Sequence, residues 1–166
     1  MLKTVNLKDL NLDPFTAVGE DWMLIAAGDE KSANAMTASW GGLGVMWNKN
    51  VAYIVIRPQR YTKEFVDAAE SFSLSFLGAD YKDALAYMGK KSGRDGDKIK
   101  ACGLTLSYKN GVPYFAESDA VLFCKKLYAQ AMTPDCFTDN SVIKTCYPKS
   151  DFHTLYIGEI TEAMKR

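Results

Sequence analysis

With 166 residues, 48% of them apolar, the chain suits one domain built around one core, spanning residues 1–166. Twenty Lys and Arg balance twenty Asp and Glu, which excludes the long-range field that would draw in nucleic acid or an anionic membrane and makes any anion site local. One histidine and four scattered cysteines, with no C-x-x-C pair, leave almost no ligand set for zinc or an iron–sulfur cluster.

Met1-Leu-Lys-Thr-Val-Asn-Leu-Lys lacks the apolar stretch of a signal peptide, and no run approaches the roughly 20 apolar residues that span a bilayer. A cytoplasmic protein is expected, with Cys102, Cys124, Cys136 and Cys146 as free thiols.

The first apolar run, residues 22–27, is closed by Gly28-Asp-Glu-Lys and reads as a buried strand. Met36, Ala38 and Trp40 then alternate with Thr37 and Ser39, a strand period with one apolar and one hydroxyl face. Gly41-Gly-Leu-Gly44 reads as a glycine loop; it neither spells G-x-G-x-x-G nor opens a helix. Residues 51–56, rich in β-branched and aromatic side chains and stopped by Pro58, are expected to form a central strand that delivers Arg57 at its end.

Thr62 is a fair N-cap for a short helix over residues 63–70. Phe72, Leu74 and Phe76 alternate with Ser73 and Ser75, as in a half-buried strand. Tyr81, Ala84, Leu85 and Met88 have helical spacing up to Gly89, and a polar loop runs from Lys90 to Gly96. One or two helical turns over 97–102 stop at Gly103, and a hairpin turns at Asn110-Gly111. Residues 121–129 and 155–160 complete the strands, with an irregular stretch around Thr133-Pro-Asp-Cys-Phe between them. Seven or so strands with a few short helices make the chain mainly β, and periodicity leaves barrel and sandwich equally open.

The chemistry gathers at two places. Arg57 and Arg60 flank a proline-fixed turn with the hydroxyls of Tyr61 and Thr62 beside a helix start, a set that suits a phosphate. Thr37 and Ser39 put hydroxyls on one strand face, and Ala38 between them lets a flat ring approach the backbone. Together these suit a flat, phosphate-bearing ligand.

Asn34-Ala-Met-Thr-Ala-Ser-Trp40, Gly41-Gly-Leu-Gly44, Arg57-Pro-Gln-Arg-Tyr-Thr62, Ser92-Gly-Arg-Asp95, Cys124-Lys-Lys-Leu-Tyr-Ala-Gln130 and Asp151-Phe-His-Thr-Leu-Tyr-Ile-Gly-Glu159 occur in the order found in the flavin reductase-like family. The chain resembles that family over most of its length, and its flavoredoxin-type branch most closely. The resemblance implies an FMN-binding split β-barrel with a few short helices, and a homodimer with FMN near the subunit interface. It also implies that Met36, Thr37, Ala38, Ser39 and Trp40 lie along the isoalloxazine, that Arg57, Arg60, Tyr61 and Thr62 hold the phosphate, and that the loop of Ser92 and Arg94 approaches the flavin. His153 is implied beside the flavin or the nicotinamide as a catalytic residue, where protonation near neutral pH would alter its contact.

Hydride transfer between NAD(P)H and flavin is chemistry of the two cofactors, so no triad or carboxylate pair is needed. The function expected from the resemblance is an FMN-dependent oxidoreductase passing electrons from NAD(P)H to flavin and on to a small acceptor. A flavoredoxin-like electron carrier reduced by a protein partner, or a non-catalytic flavin-binding module, would use the same residues.

Overall fold

A computed structural model describes residues Met1–Arg166. Ten strands form: β1 (Lys3–Val5), β2 (Met23–Gly28), β3 (Ala33–Ala38), β4 (Gly41–Met46), β5 (Lys49–Ile56), β6 (Ser71–Phe76), β7 (Leu106–Lys109), β8 (Val112–Phe115), β9 (Ala120–Ala131) and β10 (Thr154–Lys165). Four helices accompany them: α1 (Tyr61–Ala68), α2 (Lys82–Lys90), α3 (Lys98–Ala101) and α4 (Asn140–Cys146). None is long and apolar enough to cross a membrane.

The main sheet runs β3-β2-β6-β9-β10-β5-β4, with every pair antiparallel and β1 added along the far end of β10. Its two edges, β3 and β4, are consecutive in the chain and joined only by Ser39 and Trp40. Three Cα steps reach at most about 11 Å, so the sheet has to curl until its edges nearly meet. A Cβ on Gly41 would lie 3.3 Å from the side-chain methyl of Met23, so the start of β4 packs against a core side chain of β2, next to the β3 edge. The fold is a split β-barrel, and the split lies at β3 and β4.

The barrel core contains Met23, Ile25, Ile54, Phe72, Leu74, Leu122 and Tyr156. A second apolar layer lies outside it: Leu85 and Met88 of α2, with Leu104 and Phe115, cover Leu24, Ala26 and Ala35. This layer explains why residues 23–27 are all buried. Each fully buried aliphatic side chain contributes roughly 1.5–3 kcal/mol, so β2 gains on both faces.

Several expectations change. β6 is buried on both faces, because the β7–β8 hairpin covers its serines: Ser73 Oγ donates to the Pro113 carbonyl, and the Phe115 amide donates to Ser75 Oγ. Gly41-Gly-Leu-Gly44 is part of strand β4 and not a loop; Gly42 leaves the space into which the Tyr53 ring of β5 leans. β5 lies one strand from the sheet edge. Arg60 is the N-cap residue of α1, and Thr62 lies inside its first turn. The hairpin does turn at Asn110-Gly111, both at positive φ, with Lys109 opposite Val112. β1, β4 and α4 were not expected, and β10 continues well past residue 160 to Lys165.

Candidate functional site

Two adjoining cavities open beside the split. The first, about 230 Å³, is lined by Met36, Thr37, Ala38, Ser39, Trp40, Val55, Arg57, Arg60 and His153. The second, about 290 Å³, is lined by Gln59, Arg60, Tyr61, Thr62, Lys90, Lys91, Ser92, Gly93 and Lys98, with Met36 and Arg60 shared between the two. β3 and its link to β4 supply one wall, the turn from β5 into α1 the second, and the loop after α2 the third. Residues far apart in sequence are thus brought to one place. Arg94 alone among the expected residues lines neither cavity. Its guanidinium lies over the Tyr61 ring at 4.4 Å and pairs with Glu64.

Within the first cavity the hydroxyl face is shorter than the alternation implied. β3 ends at Ala38, so Ser39 and Trp40 belong to the link and are exposed. Thr37 Oγ1 donates to the Leu85 carbonyl of α2 at 2.6 Å, which leaves its oxygen only as an acceptor. Met36 is buried and packs into the barrel core.

The two arginines differ. Arg57 Nη1 pairs with Asp151 Oδ2 at 2.7 Å, Nη2 donates to the Cys146 carbonyl at 2.9 Å, and the guanidinium lies 5.1 Å from the Tyr147 ring centre. It ties the end of β5 to the segment between α4 and β10. Gln59 Nε2 donates to the same carboxylate at 2.8 Å, and Gln59 and Arg57 together hold Asp151 below the usual carboxylate range. Arg60 makes one side-chain bond, from Nη1 to the Gly89 carbonyl of α2 at 2.7 Å.

Lys98, which no sequence signal marked, is the decisive charge of the second cavity. It is 5% exposed, and its Nζ donates to the carbonyls of Met88 and Lys91 at 3.0 Å each, at the C-terminal end of α2. No carboxylate pairs with it. Burial first, and the Arg60 charge second, bring its pKa down to about 8. Four cations and no Asp or Glu line this cavity, on a chain of zero net charge. A period-based reading could not find Lys98, because its burial depends on how α3 folds back under α2.

His153 is buried at the rim of the first cavity, 5.2 Å from the Trp40 ring. Burial, and then the charge of Arg57, lower its pKa to about 4. The ring is therefore neutral throughout the neutral range, which corrects the expectation of a titration there. No group of three or more His, Cys, Asp or Glu comes together in the structure, and all four cysteines are free thiols.

Residues 17–166 match the model of the flavin reductase like domain. The chain belongs to the flavin reductase-like family. Solved structures of similar fold include a flavoredoxin from Methanosarcina acetivorans, 21% identical over 88% of this chain and 68% of that one, with a TM-score of 0.69. The FMN-binding domain of a flavin reductase-like enzyme from Shewanella baltica is 19% identical, covering 99% of this chain and 77% of its own, at a TM-score of 0.71. An NADH:FAD oxidoreductase of Streptomyces globisporus is 17% identical, covering 88% and 75%, at a TM-score of 0.65. No protein of curated function matches the sequence. As a flavin reductase-like chain, the molecule sets its barrel split, its arginine turn and its post-α2 loop around one paired cavity.

Proposed function

We propose that this flavin reductase-like chain binds FMN across the two cavities and works as an oxidoreductase that accepts hydride from NAD(P)H and passes electrons to a small acceptor. The observation that carries the reading is the second cavity: Arg60, Lys90, Lys91 and Lys98 converge with no carboxylate among the lining residues. A dianionic phosphate matches that set, and the hydroxyls of Thr62 and Ser92 add short polar contacts. The slot from Met36 to Trp40 then takes the flat ring, with backbone amides near Ala38 and Ser39 toward its polar edge. Arg57 serves this site indirectly, by holding the segment that carries His153.

Bound FMN supplies the acceptance and release of hydride. The protein orients the ring, and Trp40 and His153 shield one side of the slot from water. A homodimer fits the same reading. The outer sheet face and its hairpin tip expose Tyr53, Tyr128, Met46 and Trp47, with the Trp47 and Tyr128 rings 6.2 Å apart.

FMN titration followed by stopped-flow mixing with NADH and NADPH tests the proposal. Quenching of flavin fluorescence near one FMN per chain, then rapid bleaching by either nucleotide, is expected. Binding without bleaching by either moves the assignment to an electron carrier reduced by a protein partner; absence of binding overturns it.

A further inference from the structure

His153 and Tyr147 form a buried pair at the cleft. His153 is the only histidine of the chain. It is 7% exposed, and its Nδ1 lies 2.8 Å from the hydroxyl of Tyr147. The ring lines the first cavity, and no buried side-chain nitrogen in the structure lacks a partner. Nε2 has no protein partner, so it is the nitrogen that opens on the cavity.

A neutral imidazole carries one proton, and whichever nitrogen accepts a bond leaves the other as donor. The Tyr147 hydroxyl has two acceptors in reach: Nδ1, and the thioether of Met132 at 3.7 Å. The thioether is much the weaker acceptor. We propose that Tyr147 is a positioning residue whose O–H donates to Nδ1 of His153, holding the ring as the Nε2–H tautomer with that N–H offered to the electron-rich edge of a bound flavin. This rests on the flavin reading above.

The surroundings keep both rings in place. Phe152 packs 4.8 Å from the Tyr147 ring centre and Phe137 5.7 Å, while Arg57, itself paired with Asp151, covers the same ring. Trp40 restrains His153 from the cavity side. Burial holds the Tyr147 phenol above its usual range, so the hydroxyl keeps its proton at neutral pH. Without that hydroxyl Nδ1 loses its partner and the other tautomer becomes accessible. That tautomer turns a lone pair, and not a donor, toward the ligand.

Because the histidine is unique, ¹⁵N NMR of histidine-labelled protein reports this ring alone. At pH 7, without FMN, the proton is expected on Nε2, with Nδ1 in the range of an unprotonated acceptor. In Tyr147→Phe both nitrogens should move toward averaged values, and FMN should bind roughly fivefold more weakly. A proton found on Nδ1 in the wild type, or an unchanged tautomer in the variant, overturns the proposal. If the variant does not fold, the wild-type spectrum decides the tautomer by itself. Adding FMN to the wild type should shift Nε2; an unmoved Nε2 while fluorescence shows FMN bound removes the cofactor-facing role. Failure of FMN to bind would instead strike the flavin reading, and the tautomer would still be decided by the ligand-free spectrum.

Discussion

Arg57 and Arg60 stand three residues apart on one turn and both reach the first cavity, yet the charge of Arg57 is met within the protein while Arg60 also faces a pocket of further cations. Arg57 has a carboxylate, a carbonyl and an aromatic ring for its charge. Arg60 and the buried Lys98 have only helix-end carbonyls, and each raises the cost of the other's charge. A charge neutralised inside the fold holds segments together. One left uncompensated in a cavity is stabilised further only by an anion from outside.

Removing the uncompensated pair should have the largest effect. Arg60→Ala combined with Lys98→Met should weaken FMN by about 100-fold or more, since each charge-assisted bond to phosphate is worth roughly 1.5–3 kcal/mol. Riboflavin, which has no phosphate, should bind nearly as before. Equal losses for both ligands, measured by fluorescence titration, would show that these cations support the fold.

Arg57→Ala should do the reverse. Loss of its ion pair and carbonyl bond should cost about 2 kcal/mol of stability, visible in urea unfolding, with FMN and riboflavin affinities falling together. A loss confined to FMN would place Arg57 on the phosphate.

His153 has its folded pKa lowered from 6.5 to about 4, so between those values the unfolded chain binds more protons than the folded one. Stability is then complete above pH 6.5 and declines as pH falls toward 4, by on the order of 2 kcal/mol. His153→Gln should flatten that part of the curve. An unchanged slope in the variant would assign the acid sensitivity to the carboxylates.

The smallest expected effect concerns Ser92, whose Oγ accepts the Arg94 amide at 3.2 Å and also lines the cationic cavity. Ser92→Ala should weaken FMN by roughly 1 kcal/mol, or about fivefold, while Arg94→Ala should leave affinity unaltered. An Arg94 variant that loses FMN as strongly would bring that guanidinium back to the ligand.

Much of the lining of the candidate site is legible in the sequence because it sits in short, ordered motifs: residues 36–40, the turn that carries Arg57, Arg60 and Thr62, and His153 all line the paired cavity. What misled was local. A glycine-rich segment looks like a loop unless one knows that Tyr53 needs the space over Gly42. An alternating serine strand looks half exposed unless one knows that hairpin residues 40 positions later cover it. Arg94 belongs to a motif and yet turns toward Glu64 of α1.

Hydrophobic period and turn chemistry, which act over a few residues, were enough to determine most strands, the Asn110-Gly111 hairpin and the mainly β class. Closure of the sheet at Ser39 and Trp40, the different partners of Arg57 and Arg60, and the burial of Lys98 were decided only by the tertiary structure. Each depends on which distant backbone carbonyls and carboxylates come within about 3 Å of a charge, and spacing along the chain carries no record of that.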